Sequence, residues 1–481
     1  MYWLASALLA TPAILAAKLP ARDSAPFAFV SSSDGAYKLS PWTAPVKGTV
    51  KGTASPDDSS TWALTVDDTV SGHKQKIRGF GAAVTDATVA VFNALPSAQL
   101  AALLKELMTD AGANFAMLRH TIASSDLSAD TAYTYDDSNG SVDTSLTNFD
   151  LGDQGTAMAK LLARMQALQP ELTLLGSPWS PPGWMKLNHV VDGTTINNNL
   201  NHGYASSYGQ YFVRYMQAYA KLGATVNAIT IQNEPLNSQA GMPTMYIYAD
   251  ESGSLISQTV GPALARAGLD VAIWAYDHNT DVPSYPQTVL REASAYVKTV
   301  AWHCYASNNN WGVLTDFHDN HTGVEQVMTE CYTSSTATPW HQAADFTMGP
   351  LQNWATGALA WTLGTDNSDG PHLPGGCTTC RGLVTVNAAA GTYTFQVDYY
   401  MMAQFSKHMP KGATVLRGTG SYTHSDGTGL EAVATLNPDE TRTVVIVNKL
   451  SNHAFVMLET GSGETWSGRV YSNSVTTGEM L

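Results

Sequence analysis

Residues 226–237 read VNAITIQNEPLN. The run is apolar and β-branched until it stops on Asn233, Glu234 and Pro235. It therefore reads as a buried strand delivering an amide and a carboxyl group at its carboxyl end. Residues 323–333, GVEQVMTECYT, are built the same way and deliver Glu330. A (β/α)8 barrel spends about 250 residues on eight strand-and-helix units, about 31 apiece. Glu234 and Glu330 stand 96 positions apart, the length of three such units. The spacing predicts that they sit on the fourth and seventh strands, facing each other across the top of one barrel. Opposed carboxyl groups there are the equipment for glycoside hydrolysis. One protonates the departing oxygen and the other attacks the sugar carbon, provided that ~5–5.5 Å separates them.

The chain around these two runs alternates in the same rhythm. KIRGFGAAVTDA, residues 76–87, reads as the first strand. A helix follows it, with Leu100, Leu103, Leu104 and Leu107 on one face. NFAMLRHTIASSDLS, residues 114–128, reads as the second strand, presenting Arg119 at its end and Asp126 in the following loop. ELTLLGSPWSPPGWMK, residues 171–186, is the third, breaking into a proline-locked loop with Trp179 and Trp184; core packing is the favoured role of Trp184. LDVAIWAYDHN gives a fifth strand ending on Asp277 and His278, TVAWHCYA a sixth delivering His303 and Tyr305, and TGALAWTLGTDNSDGPHL an eighth with Trp361 near its end. Strands alternating with helices predict an α/β fold, a (β/α)8 barrel over residues 77–410. Residues 26–76 and 411–481 lack helical periodicity and alternate instead. They predict an attached all-β sandwich completed from both ends of the chain, with a hairpin turn at Asn437, Pro438, Asp439 and Glu440.

Composition narrows the function. At 481 residues, 44% hydrophobic and 14% charged, the chain can bury a large core. A net charge of -15 without a Lys/Arg cluster excludes a nucleic-acid surface and fits a neutral partner, a polysaccharide or oligosaccharide. Residues 1–17 resemble a signal peptide, and no later run is long and apolar enough to span a bilayer. A secreted monomer without a stable membrane anchor, cofactor or metal is expected. Cys377 and Cys380, in GGCTTCRG, predict a small disulfide loop; Cys304 and Cys331 are left open between two buried thiols and a pair. Asn139 and Asn320 head N-glycosylation sequons.

The stretches GFGAAVTDA, LRHTIASSDLS, LLGSPWSPPGWMK, TIQNEP, WHCYA, MTECYT and AWTLGTDNSDGPHL run in order through nearly the whole barrel. At these residues the sequence resembles glycoside hydrolase family 30, the group containing glucosylceramidases and fungal endo-β-1,6-glucanases, and it is most similar to the latter. The resemblance implies hydrolysis of β-1,6-glucan with retention, Glu234 as acid/base and Glu330 as nucleophile. It also implies a sugar pocket lined by Arg119, Asp126, Trp179, Asn233, His303, Tyr305 and Trp361. A glucosylceramidase, a xylanase or a β-1,6-galactanase is the alternative within the family, and a carbohydrate-binding wall protein the alternative outside enzymes. Double displacement further requires the two pKa values to separate, with Glu234 raised by neighbouring negative charge and Glu330 held ionised by donors such as Arg119. An acid pH optimum would follow.

Overall fold

The computed structural model describes residues 26–48, 61–306, 310–336, 339–418, 421–423 and 429–480; the expected leader, residues 1–17, lies outside them. Eight parallel strands close into a barrel: β1 Gly79–Val84, β2 Met117–Ile122, β3 Thr173–Pro178, β4 Ala228–Thr230, β5 Ala272–Asn279, β6 Val297–His303, β7 Glu325–Tyr332 and β8 Ala355–Trp361. β8 pairs back onto β1, with Gly357 opposite Gly79. The barrel expected from the sequence is present. Its strands are buried along almost their whole length because both faces are covered, one by helices and one by the opposite wall. The leucine stripe of the helix Ser97–Met108 faces the strands, with Leu100, Leu103, Leu104 and Leu107 all buried.

Inside the barrel, Met117, Leu175, Ala228, Trp274, Ala301, Val327 and Leu359 form a single apolar layer, one residue from each of β2 to β8. Two residues further along, the strand period brings the next set inward, and this layer is polar: Arg119, Ser177, Thr230, His303 and Thr329. β5 breaks the count. Its pairing with β6 slips between Tyr276 and His278, and Tyr276 (φ 78°) and Asp277 (φ 60°) both lie in the left-handed region. The extra residue of this bulge turns Asp277 toward the axis.

The organising run is a shorter strand than its composition suggested. Only Ala228–Thr230 pairs as β4. Glu234 has φ 44° and Pro235 has no N–H, so the ladder cannot continue through them. Asn233 and Glu234 sit instead on a loop pinned to both neighbours, Asn233 N donating to Pro178 O (2.8 Å) and Glu234 N to Asp277 O (3.0 Å).

Two further sheets pack face to face. One includes Phe27–Ser32, Thr414–Leu416, Gly429–Leu436, Arg442–Asn448 and Ser474–Met480; the other includes Thr61–Val66, Ala454–Thr460 and Thr465–Val470. Leu64, Leu430, Ala432, Val456, Leu458 and Trp466 fill the space between them. Phe27–Ser32 runs antiparallel to Ser474–Met480, so the two ends of the described chain share one sheet. The hairpin at Asn437 joins Gly429–Leu436 to Arg442–Asn448, with Asn437 N donating to Thr441 O. No helix among the described residues is long and apolar enough to cross a membrane.

Candidate active site

Arg119 is fully buried at the centre of the polar layer. Its Nη1 donates to Glu330 Oε2 (2.6 Å), and its Nη2 donates to Asp277 Oδ2 (2.8 Å) and Asn233 Oδ1 (2.6 Å). A guanidinium so far from water needs paired charge and satisfied donors, and two carboxylates supply both. Asp277, also fully buried, collects further donors: Ser177 Oγ (2.6 Å) and Thr230 Oγ1 (2.9 Å) on Oδ2, and Thr329 Oγ1 (2.7 Å) and His303 Nε2 (3.0 Å) on Oδ1.

His303 joins this buried set to the two glutamates. Its Nδ1 lies 3.2 Å from Glu234 Oε1 and 3.8 Å from Glu330 Oε1. Tyr305 donates its hydroxyl to Glu330 Oε1 (2.9 Å), and Asn237 Nδ2 donates to Glu234 Oε2 (2.8 Å). A carboxylate oxygen of Glu234 and one of Glu330 lie within 4.8 Å of each other. Carboxyl groups that attack directly stand ~5–5.5 Å apart and those that leave room for a water ~6.5–9.5 Å; the close approach of these two oxygens is compatible with the shorter arrangement. Glu234, His303 and Glu330 could also hold a cation between their converging donor atoms. It would have to displace the proton that His303 holds there.

The electrostatics run against the order expected from sequence. Burial alone would raise the Glu234 carboxyl, but the hydrogen bond from His303, the charges of His278 and His303 and the bond from Asn237 together outweigh it and bring the group down to about 2. Burial raises Glu330, and the positive charge of His303 and Arg119 does not fully offset it beside Glu234 and Asp277. His303 is lowered by burial but raised more by the charge on Glu330 and the bonds to Asp277 and Glu234, reaching about 9. Asp277 is opposed by burial yet held well below the usual carboxylate range, chiefly by Arg119. The reversal follows from placement: His303 is nearer Glu234 than Glu330, and Glu234 alone has His278 and Asn237 beside it. It does not remove the proton from the pair. With Nε2–H facing Asp277, one more proton lies in the Nδ1···Oε1 contact. Imidazolium with carboxylate, or imidazole with carboxylic acid, is the same proton count, so the pair titrates as a unit.

The glutamates open into a cavity of about 340 Å3 walled by Asp126, Trp179, Asn233, Tyr305, Tyr332 and Trp361, with the loop of Cys377 and Cys380 on one side. Trp179 and Trp361 stack on each other at 5.1 Å, and Trp179 caps the Arg119 guanidinium at 4.7 Å. They are almost wholly buried, so they offer the cavity little surface. Asp126 accepts from Cys377 N (3.3 Å), and burial, then the charge on Glu330, push its carboxyl up to about 7. A Cβ on Gly376 would come within 2.4 Å of Asp126 O, so the disulfide loop can close on Asp126 only with glycine there. Cys377 pairs with Cys380, and Cys304 pairs with Cys331, which joins β6 to β7 directly behind His303 and Glu330. Trp184 is buried away from the cavity, donating Nε1 to Asp136 O (2.8 Å).

All nine residues singled out from the sequence converge here. Asp277, Ser177, Thr230, Thr329 and Asn237 complete the site and were not among them. Asp277 alone carried a signal, an acid at the end of an apolar strand.

Residues 77–409 match the model described as the glycosyl hydrolase family 30 TIM-barrel domain. The chain belongs to glycosyl hydrolase family 30. An endo-1,6-β-D-glucanase of Neurospora crassa is 65% identical to it over 481 residues, covering 99% of this chain and 98% of that one. An endo-1,6-β-D-glucanase of Aspergillus fumigatus is 61% identical over 483 residues, covering 98% of each. Among solved structures, the endo-β1,6-glucanase BT3312 superposes with a TM-score of 0.81 at 26% identity, covering 94% of this chain and 99% of that one. This glycoside hydrolase thus carries a family 30 barrel around the glutamate pair.

Proposed function

We propose that this family 30 hydrolase is a secreted endo-β-1,6-glucanase working by double displacement through Glu330 and Glu234. The observation that carries the mechanism is the pair of carboxylates within 4.8 Å, each with its own set of donors. The substrate reading is supported by identity of 65% and 61%, along nearly the whole chain, to relatives bearing that name.

Glu330, oriented by Arg119 and Tyr305, attacks the anomeric carbon while the leaving oxygen takes the proton shared by Glu234 and His303. As the glycosyl ester forms, Glu330 loses its charge, and Asp277 keeps Arg119 paired throughout. Water then enters on Glu234, now the base, returns the proton to the pair, and releases the sugar with its configuration retained. Asn233, held by Arg119 beside Glu330, can hydrogen-bond the sugar 2-hydroxyl.

The test is incubation of the full chain with linear β-1,6-glucan, sizing the earliest products and following their anomeric form by NMR. Mixed oligosaccharides released first as the β-anomer are expected. Release of glucose alone would refute endo attack, and an α-anomer first would refute double displacement.

A further inference from the structure

A second cavity opens on the catalytic side of the barrel, about 380 Å3 against about 340 Å3 for the first. It lies where the helix Ala205–Lys221 and the helix Ala249–Leu255 begin. Helices that follow barrel strands start at the carboxyl ends of those strands, the face on which Glu234 and Glu330 sit. Leu200, Ile247 and Leu255 floor this groove, Tyr246 walls it, and Asp250 and Gln258 stand on its rim.

Three observations give it a purpose. Ile247 N donates to Pro235 O (2.8 Å), so the floor of the groove is bonded to the residue after Glu234. Glu234 serves the leaving oxygen, so the chain beyond the scissile bond departs on this side. Next, the wall carrying Gln258 is a π-helical turn, Ile256–Val260, inserted between two α-helical segments; such turns cost regular hydrogen bonding and concentrate at functional sites. Finally, the lining combines an apolar floor and a tyrosine ring, set edge-on to Tyr248 at 5.0 Å, with amide and carboxylate acceptors on the rim. A pyranose presents that same division, C–H groups on its faces and hydroxyls around its edge. Carboxylates at Asp250 and Glu251 disfavour phosphate-bearing ligands.

We propose that this groove is a second glucan-binding site, which holds the departing side of a long β-1,6-linked chain while its scissile bond lies between Glu234 and Glu330. The assignment rests on the β-1,6-glucan reading of the cleft. A chain held at both places gains effective concentration at the cleft, and one too short to reach the groove does not.

The test uses the full chain with Tyr246→Ala and, separately, Gln258→Ala, measuring kcat/KM on high-molar-mass linear β-1,6-glucan and on a β-1,6-linked glucotriose. The polymer-to-trisaccharide ratio of kcat/KM should fall about three- to tenfold for Tyr246→Ala, the size of one lost aromatic contact, and the loss should appear as a higher KM on the polymer. Gln258→Ala should lower the ratio in the same direction. The inactive Glu330→Gln chain should bind the polymer correspondingly more weakly once Tyr246→Ala is added. An unchanged ratio in both variants, with β-1,6-glucan still cleaved, overturns the groove alone. Equal losses on both substrates also overturn it, because they mean that the substitutions act through the Glu234 loop. No cleavage of β-1,6-glucan by the wild type overturns the substrate reading, and the groove assignment with it.

Discussion

Replacing Asp277 by asparagine tests the proton arrangement without touching either glutamate. Asp277 accepts from Arg119, Ser177 and Thr230 on one oxygen and from His303 and Thr329 on the other. A carboxamide has one acceptor oxygen. Arg119 can only donate, so that oxygen must stay on the Arg119 side and the NH2 must turn toward His303. Nε2 then has to accept, the ring proton moves to Nδ1, and Nδ1–H points at an ionised Glu234. The pair has lost its transferable proton at the same pH. The buried guanidinium has also lost one of its two charges, a defect worth about 3–5 kcal/mol of stability. Holding an imidazole in the wrong tautomer has cost about 10⁴-fold where it was measured in a serine-protease triad. Here, with Glu330 still in place, a loss of about 10²–10⁴-fold in kcat/KM at pH 7 is expected, with a folded circular-dichroism spectrum. The alkaline limb of the pH profile should move to lower pH. An Asp277→Asn variant that keeps more than about a tenth of the wild-type rate and an unmoved alkaline limb would refute the reasoning.

Other outcomes follow from the same geometry. Glu330→Gln should abolish turnover on β-1,6-glucan while leaving thermal unfolding cooperative; a near-wild-type rate removes it as nucleophile. The profile of kcat/KM against pH should be a bell displaced from the acid optimum that sequence suggested. Glu330 must be ionised and its pKa is raised, so activity is lost as pH falls toward a value above 4.5. The Glu234 and His303 pair must keep its proton, so the other limb falls as pH rises toward about 9. An alkaline limb below pH 6 contradicts the shared proton. Asp126 is raised to about 7 against 3.8 when unfolded. Its burial therefore costs nothing below pH 3.8 and progressively more up to pH 7. Asp126→Asn should stabilise the fold by about 2–4 kcal/mol at pH 7 and leave it unchanged at pH 3, in chemical denaturation at the two pH values. A gain equal at both would sink the assignment.

The barrel was legible because each strand switches from apolar to polar residues near the point where it leaves the core. Arg119, His303 and Glu330 follow that rule, and so the site was visible in outline. Asp277 was seen at its strand end, but its turn toward the axis was not, for a specific reason. With Trp274 facing inward, strict alternation would bring Tyr276 and His278 to the axis and hide the acid between them. The two left-handed residues of the bulge shift the phase by one, and no composition marks where a strand will bulge. The order of the glutamate pKa values failed similarly. It depends on side-chain placement that residue types do not encode: His303 is 3.2 Å from one and 3.8 Å from the other, and His278 and Asn237 lie by Glu234. Cys304 and Cys331 stayed undecided because strand alternation gives direction, while only the register of β6 on β7 places one against the other.

The pairing of Phe27–Ser32 with Ser474–Met480 has a consequence in time. During synthesis Phe27–Ser32 emerges well ahead of Ser474–Met480, and it waits for that partner while the whole barrel between them is made. The barrel can close before that, but the sheet beside it stays open, with one edge exposed until Ser474–Met480 is made. A nascent chain stalled before Ser474 would therefore display that edge to chaperones, and release of Ser474–Met480 is the event that hides it.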